Sequence, residues 1–241
     1  KTKFHPFIIT AQGSDVLISP WQSIVLKFLV TKALKSADLI TVVAQHMIKP
    51  IEKLGISSNK IHVTTLGVDT TLFNADEKKI IHSTFEILSL RSFEPVYNID
   101  ILIKALYLVK AQIPNIKLVM AGKGSQLNGI KQLVSELELD NNVSFIGQIT
   151  QSEIAERLKK CHAYISLSKS DGNSIALNEA LACGCFAIVS DIEANKPWIK
   201  DGVNGFLVPQ NNEKEIADKI IEFFENYENL MNLAIDRKSV V

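Results

Sequence analysis

Short apolar runs of strand length alternate with stretches of helical periodicity along almost the whole chain. The runs are rich in Val, Ile and Leu at successive positions, which is typical of strands buried on both faces of a parallel sheet. The nine predicted strands are Phe7–Thr10, Leu39–Ala44, Ile61–Thr65, Ile87–Leu90, Ile116–Ala121, Val143–Gly147, Ala163–Leu167, Phe186–Ser190 and Phe206–Val208. This alternation predicts an α/β protein whose parallel sheets are covered by helices.

A polar, charged connector near residues 74–84 divides this pattern into two parts. Three predicted strands precede the connector and six follow it, so only the second part has enough strands for a whole doubly wound domain. We therefore expect an incomplete Rossmann-like domain over residues 1–80, lacking its first part. Residues 81–241 are expected to form a nearly complete Rossmann-like domain with a six-stranded parallel sheet.

Composition and charge exclude several classes of function. Lys plus Arg and Asp plus Glu both number 26, and 46% of the 241 residues are hydrophobic. A globular chain without net charge has no field that attracts nucleic acid, so no nucleic-acid partner is expected. The three cysteines are too few for a disulfide framework and are expected as buried thiols. The five histidines lack metal-ligand spacing and are expected at strand edges or on the surface, so no metal site is expected.

Two helix starts can be read directly from the sequence. Thr150 and Glu153 form a capping-box pattern before an apolar run. Asn212 is expected to begin the last helix. The apolar face of that helix is predicted to carry Ile216, Ile220, Phe223 and Phe224.

The segment between the predicted strand Ala163–Leu167 and Gly184 carries the chemistry. A helix is expected to begin there at Asn173 or Ser174, both good N-cap residues. The backbone N–H groups of Asn173, Ser174 and Ile175 would then be unpaired at the positive end of the helix dipole, and such a helix start binds anions. In open parallel sheets ligands bind at this carboxyl edge.

Two carboxylates bracket that helix start. Asp171 precedes it, next to Gly172, and Glu179 lies roughly 8 Å further along the helix. Glu179 is surrounded by Leu and Ala, and a carboxylate in such a place needs partners. A helix start for phosphate and a carboxylate for paired hydroxyls suit a nucleotide diphosphate sugar. The alternative is a solvated turn Asp and an exposed helical Glu.

Several segments of the chain, in the same order, resemble the retaining glycosyltransferases of the GT-B fold known as glycosyl transferases group 1, or glycosyltransferase family four. Asp171 and Glu179 occupy the two acidic positions of the family's Glu-x7-Glu motif. The other segments that resemble family signatures are Ala11–Asp15, Gly67–Phe73, Glu179–Gly184, Val189–Asp191 and Asp201–Val208. The resemblance implies a GT-B chain that lacks the start of its N-terminal domain and its C-terminal crossover helix.

The sequence departs from the family pattern at three positions. Asp171 stands at the first acidic position, where the family has Glu, and Gln12 replaces the loop His. Arg91 is present for the phosphate clamp, but Tyr97 stands about where a Lys belongs. Some members of the family resemble this variant, with a Tyr-Asn pair at Tyr97 and Asn98. A phenol or an amide could donate to phosphate without charge, or the pair could serve packing and capping.

The resemblance also implies roles for individual side chains. Arg91 would bind the diphosphate with its planar fork, the alternative being a surface ion pair with Glu94. Asp171 would steady the anomeric carbon, and Glu179 would accept hydrogen bonds from the ribose. Ile149 lies in the loop expected to hold the nucleobase through backbone contacts.

Two further loops are candidates for the site. Gln12 and Gly13 are expected to contact the acceptor, the alternative being an ordinary glycine turn. Gly122 follows a predicted strand and could allow close backbone approach, while Lys123 could supply the cation that Tyr97 does not. As a dinucleotide fingerprint this turn fails, because Leu127 stands at the third glycine position, and this argues against a Rossmann oxidoreductase.

The expected activity is transfer of a hexosyl group from a UDP- or GDP-sugar to an acceptor hydroxyl, with retention of anomeric configuration and without a further cofactor. The acceptor would be a glycan or a lipid-linked glycan, and the enzyme would be cytoplasmic. The alternative is a non-catalytic GT-B relative that binds nucleotide or glycan, or a scaffold.

One helix also raises the question of a membrane contact. Lys27, Lys32 and Lys35 share one side of a predicted helix with several apolar residues. Such a face predicts either a solvated helix surface or peripheral contact with the inner face of the cell membrane.

Overall fold

The computed structural model describes residues 5–75 and 84–235 and confirms an α/β protein in which all nine predicted strands are present. The chain forms two compact units. The first unit comprises Lys1–Gly67, Ser170–Ser174 and Ile192–Ala194, and the second comprises Val68–Lys169, Ile175–Asp191 and Asn195–Val241. The predicted domain boundary at 80/81 falls among residues 76–83, outside the described part of the chain, and stays a prediction.

The first unit contains a three-stranded parallel sheet. Its strands are β1 (Ile8–Ala11), β2 (Leu39–Val42) and β3 (Ile61–Val63), paired in that order. Its helices are α1 (Ser14–Leu17), α2 (Ser19–Gln22), α3 (Ile24–Ser36) and α4 (Ile48–Glu52). Short 3₁₀ turns over Gln45–Met47 and Ser58–Lys60 complete the unit. The core of this unit gathers residues from the sheet and the helices, and Ile40 of β2, Met47 of the first 3₁₀ turn and Ile51 of α4 are fully buried in it.

Helix α3 exposes much more apolar surface than a solvated helix normally does. Ser23 caps it by accepting a hydrogen bond from the N–H of Leu26 at 3.1 Å. Ile24 is 87% exposed and Phe28 is 63% exposed, whereas Leu34 is buried. The three lysines are exposed, as the solvated-surface interpretation requires, but the apolar side chains beside them belong to a surface that usually has a partner.

The second unit contains a six-stranded parallel sheet, as expected. Its strands are β4 (Glu86–Ser89), β5 (Lys117–Ala121), β6 (Val143–Gly147), β7 (Ala163–Ser166), β8 (Phe186–Ser190) and β9 (Gly205–Val208). They lie in the order β6-β5-β4-β7-β8-β9, and every neighbouring pair is parallel. The helices are α5 (Ile99–Lys110), α6 (Leu127–Glu136), α7 (Gln151–Lys160), α8 (Ile175–Ala182), α9 (Glu213–Glu225) and α10 (Tyr227–Ile235), with a 3₁₀ turn over Pro95–Tyr97.

Alternation along each strand divides the hydrophobic core between the two faces of this sheet. Ile87 of β4 and Ile188 of β8 pack into one cluster, and their neighbours Leu88 and Val189 pack into the other. Because successive side chains point to opposite faces, a strand covered on both sides must be apolar at every position. This explains why the strands of this unit were recognisable as continuous apolar runs.

The predicted helix starts are confirmed, with one correction. Thr150 and Glu153 form the capping box at α7, and the side chain of Asn212 accepts a hydrogen bond from the N–H of Glu215 at 3.2 Å. The expectation that Asn212 begins the last helix is wrong, because α10 follows α9. The expectation for Phe224 is also wrong: it is 41% exposed, while Phe223 fills the buried side of α9.

The cysteines are buried thiols, as predicted. Of the two expected places for histidines, His162 takes the end of a strand: it directly precedes β7 and is buried, not at the surface. Its Nδ1 accepts a hydrogen bond from the backbone N–H of Glu86 at 3.0 Å, and its ring lies 4.6 Å from that of Phe85. The backbone contact satisfies the polar edge of the imidazole, which allows the residue to join an aromatic cluster. Among the described residues, no helix is both long and apolar enough to span a membrane.

Two glycines of the second unit should respond oppositely to replacement by alanine. A Cβ on Gly205 would overlap the carbonyl oxygen of Ala187 in the neighbouring strand, so G205A should lower the free energy of unfolding by about 2 kcal/mol or more. Gly129 lies inside α6 with open space around it, so G129A should raise that free energy by about 0.5–1 kcal/mol. Urea unfolding measures the free energy of unfolding of both variants. A destabilised G129A protein would contradict the helical conformation of Gly129 in α6.

Candidate active site

The strand order of the second unit places a crevice between β4 and β7. From β4 the chain winds outward through β5 and β6, and it then returns to β7 on the other side of β4. In open parallel sheets, such a reversal leaves a crevice at the carboxyl ends of the two central strands, and ligands bind there. The candidate site of this unit therefore lies where β4 and β7 end.

Arg91 bridges that crevice. It follows the end of β4, and its Nε–H donates to the hydroxyl oxygen of Ser166, the last residue of β7, at 2.8 Å. The Ser166 hydroxyl in turn lies 3.1 Å from the hydroxyl of Ser168, and both serines are buried. The alternative role of Arg91 was a surface ion pair with Glu94. Both carboxylate oxygens of Glu94, however, accept hydrogen bonds from Ser125. These bonds hold the pKa of Glu94 below its ordinary value.

Tyr97 and Asn98 have structural contacts in this region. The guanidinium carbon of Arg91 lies 5.1 Å from the centre of the Tyr97 ring. Asn98 is buried, has a left-handed backbone (φ 57°), and donates its side-chain amide to the carbonyl oxygen of Gln210. The amide of Asn98 therefore ties the loop after β4 to the loop after β9. Binding of donor phosphate by these two residues stays a prediction.

The predicted glycine turn after β5 packs against the loop after β4. A Cβ on Gly122 would come within 2.8 Å of the carbonyl oxygen of Arg91, and one on Gly124 would overlap the backbone of Phe93. The N–H of Phe93 donates to the carbonyl oxygen of Lys123 at 3.0 Å. The close backbone approach expected of these glycines is therefore made to another protein segment. Lys123 is exposed beside it, and its role as a phosphate ligand stays a prediction.

Glu179 is the most unusual carboxylate of the second unit. It lies in the second turn of α8, is only 6% exposed, and is flanked by the fully buried Leu177 and Ala180. Within residues 5–75 and 84–235 its carboxylate has neither a hydrogen bond nor an ion pair. Burial disfavours the charged form and raises the pKa of Glu179. A buried acid without a protein partner is typical of a site that a ligand completes.

Helix α8 begins at Ile175, so Ser174 stands at its N-cap position, as the sequence predicted. Ile175 is 43% exposed, while Asn173 and Ser174 are buried. In the sequence, this helix is the next one after β7, the strand that forms one side of the crevice. The use of its first N–H groups as an anion site stays a prediction.

The first unit brings several other predicted residues together. Gly13 lies in the loop after β1, and a Cβ on it would lie 3.1 Å from the N–H nitrogen of Gly172. A Cβ on Gly172 would overlap the carbonyl oxygen of Gln12, so the two loops approach at a distance that only glycine allows. The Asp15 carboxylate accepts the N–H groups of Gln12 and Gly13 at 3.1 and 2.8 Å and so holds this loop in shape.

His46 joins the same unit and was missed by the sequence reasoning. Its Nε2 donates to the carbonyl oxygen of Asp171 at 3.1 Å, because a carbonyl can only accept. The residue follows the end of β2 in a 3₁₀ turn, and its position at a strand's carboxyl end was the signal that could have revealed it. Asp171 is partly buried at this point, and its contact with a donor sugar stays a prediction.

A cavity of about 700 Å³ lies along α7, away from the crevice. It is lined by Thr84, Glu86, Ile146, Ile149, Glu153, Glu156, Arg157 and Lys160. Glu86 begins β4, whereas Ile146 and Ile149 lie at and just after the end of β6, and neither Arg91 nor Ser166 lines this cavity. We place the candidate site at the carboxyl edge, because the bridging arginine lies there. Ile149 is half-buried in the cavity wall, and its contact with a nucleobase stays a prediction.

Comparison with known proteins assigns the chain to a family. The family model described as "Glycosyl transferases group 1" matches residues 73–238, which is more than half of the chain and includes every element from β4 to α10.

The chain belongs to the glycosyl transferases group 1 family.

Two curated proteins illustrate the distance to known relatives. An uncharacterised glycosyltransferase of Methanocaldococcus jannaschii is 26% identical over 226 residues, 92% of this chain and 60% of its own. The N-acetyl-alpha-D-glucosaminyl L-malate synthase of Bacillus anthracis is 24% identical over 234 residues, 94% of this chain and 58% of its own. The chain therefore spans a little under two thirds of the length of these relatives.

A solved structure supports the fold. Anabaena HepE in complex with UDP-glucose aligns with 98% of this chain and 67% of its own, with a TM-score of 0.85 and 20% identity. At that identity the likeness concerns the fold alone. It agrees with the expected parallel sheets and confirms the predicted fold class.

Proposed function

We propose that the whole protein transfers a hexosyl group from a nucleotide diphosphate sugar to an acceptor hydroxyl, with retention of anomeric configuration and without a metal ion. The observation that carries this proposal is the buried carboxylate of Glu179, which lacks a protein partner among the described residues and stands in the second turn of a helix that follows the crevice strand. Ribose hydroxyls would supply the missing hydrogen bonds and favour its charged form.

The diphosphate and the sugar of the donor would each contact a group of opposite charge. Arg91 and the first N–H groups of α8 stabilise the negative charge that develops on the diphosphate as it leaves, because fixed donors act where charge appears in the transition state. Asp171 steadies the positive charge at the anomeric carbon. The acceptor attacks from the face that the leaving group vacates, and the departing phosphate takes the acceptor proton, so no covalent enzyme intermediate is needed.

Uridine is the favoured base of the donor, and the acceptor is a glycan or a lipid-linked glycan. Anabaena HepE was solved with UDP-glucose, and a TarM variant of S. aureus was solved with UDP together with alpha-GlcNAc-glycerol. Gln12 cannot titrate near neutral pH, so its loop would contact the acceptor without acting as a base.

A thermal-shift panel of UDP- and GDP-sugars tests the proposal. A ligand that binds only the folded state adds about 2.7 kcal/mol at a hundredfold excess over its Kd, so one donor should raise the unfolding midpoint selectively. A shift without any donor hydrolysis by the whole protein would favour the non-catalytic alternative. Absence of a shift with every nucleotide sugar would contradict the proposal.

We also propose that the protein works in the cytoplasm and touches the membrane surface through α3. The exposed Ile24 and Phe28 supply apolar area, and the exposed Lys27 and Lys32 would attract anionic lipid. Co-sedimentation with vesicles containing phosphatidylserine tests this contact. Equal recovery with neutral and anionic vesicles would argue against it.

A further inference from the structure

Arg91 is held on two sides by side chains that lie far apart in sequence. Its Nε–H donates to Ser166 at 2.8 Å, and its guanidinium carbon lies 5.1 Å from the centre of the Tyr97 ring. Ser166 is itself fixed, because it is 3% exposed and its hydroxyl lies 3.1 Å from that of Ser168.

We infer that Tyr97 and Ser166 are positioning residues that hold Arg91 in the orientation required to bind the donor diphosphate, and that Tyr97 acts through its ring and not through its hydroxyl. This inference rests on the proposed function. By resemblance to the family, Tyr97 stands about where a Lys would supply a second cation. A phenol ring adds no positive charge, but its face lies against the guanidinium of the arginine that remains and can fix the orientation of that side chain.

The physical reason is the conformational entropy of arginine. A free Arg side chain loses up to about 2 kcal/mol of rotamer entropy when it is ordered, and a ligand must meet that cost at the moment of binding. The serine hydroxyl fixes the Nε–H direction, and the ring attracts the guanidinium face through its quadrupole. Together they order the side chain before the diphosphate arrives.

Replacements of Tyr97 separate the ring from the hydroxyl. Y97L should weaken UDP binding about five- to tenfold, the range expected for loss of a partly buried cation–π contact. Y97F should restore the affinity to within about twofold of the wild-type chain, because the ring remains. Tyr107, an exposed tyrosine of α5, provides the matched control Y107L. Equal losses in Y97F and Y97L would overturn the inference, since the hydroxyl would then contact the ligand.

Ser166 is tested by S166A, with S144A on the exposed side of β6 as its control. Loss of one buried hydrogen bond to Arg91 should weaken UDP binding about fivefold, whereas S144A should not. In an R91A background, Y97L and S166A should have no further effect on UDP affinity, because a positioning residue acts only through the group that it positions. Full additivity in these double variants would contradict the inference.

Nuclear magnetic resonance of the arginine side chain provides a readout that needs no ligand. The Nε–H signal of Arg91, assigned with R91K, should carry a ring-current shift that is kept in Y97F and lost in Y97L. S166A should speed its hydrogen exchange. If these effects appear but no nucleotide binds, the proposed function is contradicted, while the positioning of Arg91 by Tyr97 and Ser166 is supported. If UDP binds but the signal is unaffected by Y97L and S166A, the inference fails alone.

Discussion

Replacing Arg91 by alanine should lower donor turnover by the whole protein by about 10²–10³-fold, the effect typical of removing one group that stabilises a developing anion. Arg91 stands at the topological crevice and is fixed there by Ser166. The leaving diphosphate would lose its charged, bidentate ligand in R91A. Initial rates of nucleotide release from the donor measure the loss, and UDP affinity should fall in parallel.

Two further variants make this result specific. R91K keeps the positive charge but loses the planar fork and the Nε–H bond to Ser166, so it should recover only part of the activity. R157A removes the other arginine of the described chain, half-buried on α7, and should leave turnover within about twofold of the wild type. If R157A were as damaging as R91A, the loss in R91A would not be specific to the crevice between β4 and β7.

Replacing Glu179 by glutamine should stabilise the ligand-free chain and weaken donor binding at the same time. Burial of Glu179 disfavours the charged form of its carboxylate in the folded state, and glutamine removes this cost at any pH at which the carboxylate is ionised. We expect the free energy of unfolding to rise by about 1–2 kcal/mol. Donor affinity should fall about 10- to 100-fold, because hydrogen bonds from hydroxyls to a charged acceptor are stronger than those to an amide.

The stabilisation by E179Q should depend on pH in a defined direction. Burial raises the pKa of Glu179, so the folded state binds this proton more tightly than the unfolded state does. The resulting stability is present below the ordinary pKa of a glutamate and is lost as the pH rises through the raised value. The difference between E179Q and the wild type should therefore grow as the pH rises through this window and then level off.

Urea unfolding at several pH values measures this difference, with E156Q as the control. Glu156 is an exposed helical glutamate whose replacement should change stability by less than about 0.5 kcal/mol at any pH. The affinity of the wild-type chain for the donor should rise over the same pH window, since the charged carboxylate is the better acceptor. A pH-independent difference between E179Q and the wild type would show that Glu179 is not held in an unfavourable charged state.

Local periodicity explains most of what could be predicted. The strands of the six-stranded sheet are mostly apolar at their buried positions, with buried serines at the carboxyl ends of β4, β7 and β8, so their places were recognisable one by one, with ends shifted by about a residue. Thr150 and Asn212 were recognisable for the same reason, because a cap depends on a residue only three positions away. The helix α10 and the exposure of Phe224 escaped prediction, since the partner that covers an apolar helix is chosen by tertiary packing.

The residues around the candidate site also divide into those that the sequence indicated and those that only the tertiary structure revealed. Family-like segments identified Arg91, Asp171 and Glu179 as candidates, but they carried no sign of Ser166 or His46. Ser166 lies 75 residues from Arg91, and His46 lies 125 residues from Asp171.

What the sequence determined by itself is the set of elements: nine strands, their parallel α/β class, the segments that carry the acidic pair and the arginine, and membership in a glycosyltransferase family. Only the tertiary structure decided which loops meet. The order of the strands in the six-stranded sheet brought the end of β4 beside the end of β7, and packing within the second unit buried Glu179. The reason is physical: secondary structure follows from residues a few positions apart, whereas strand order and burial follow from how whole apolar faces pack.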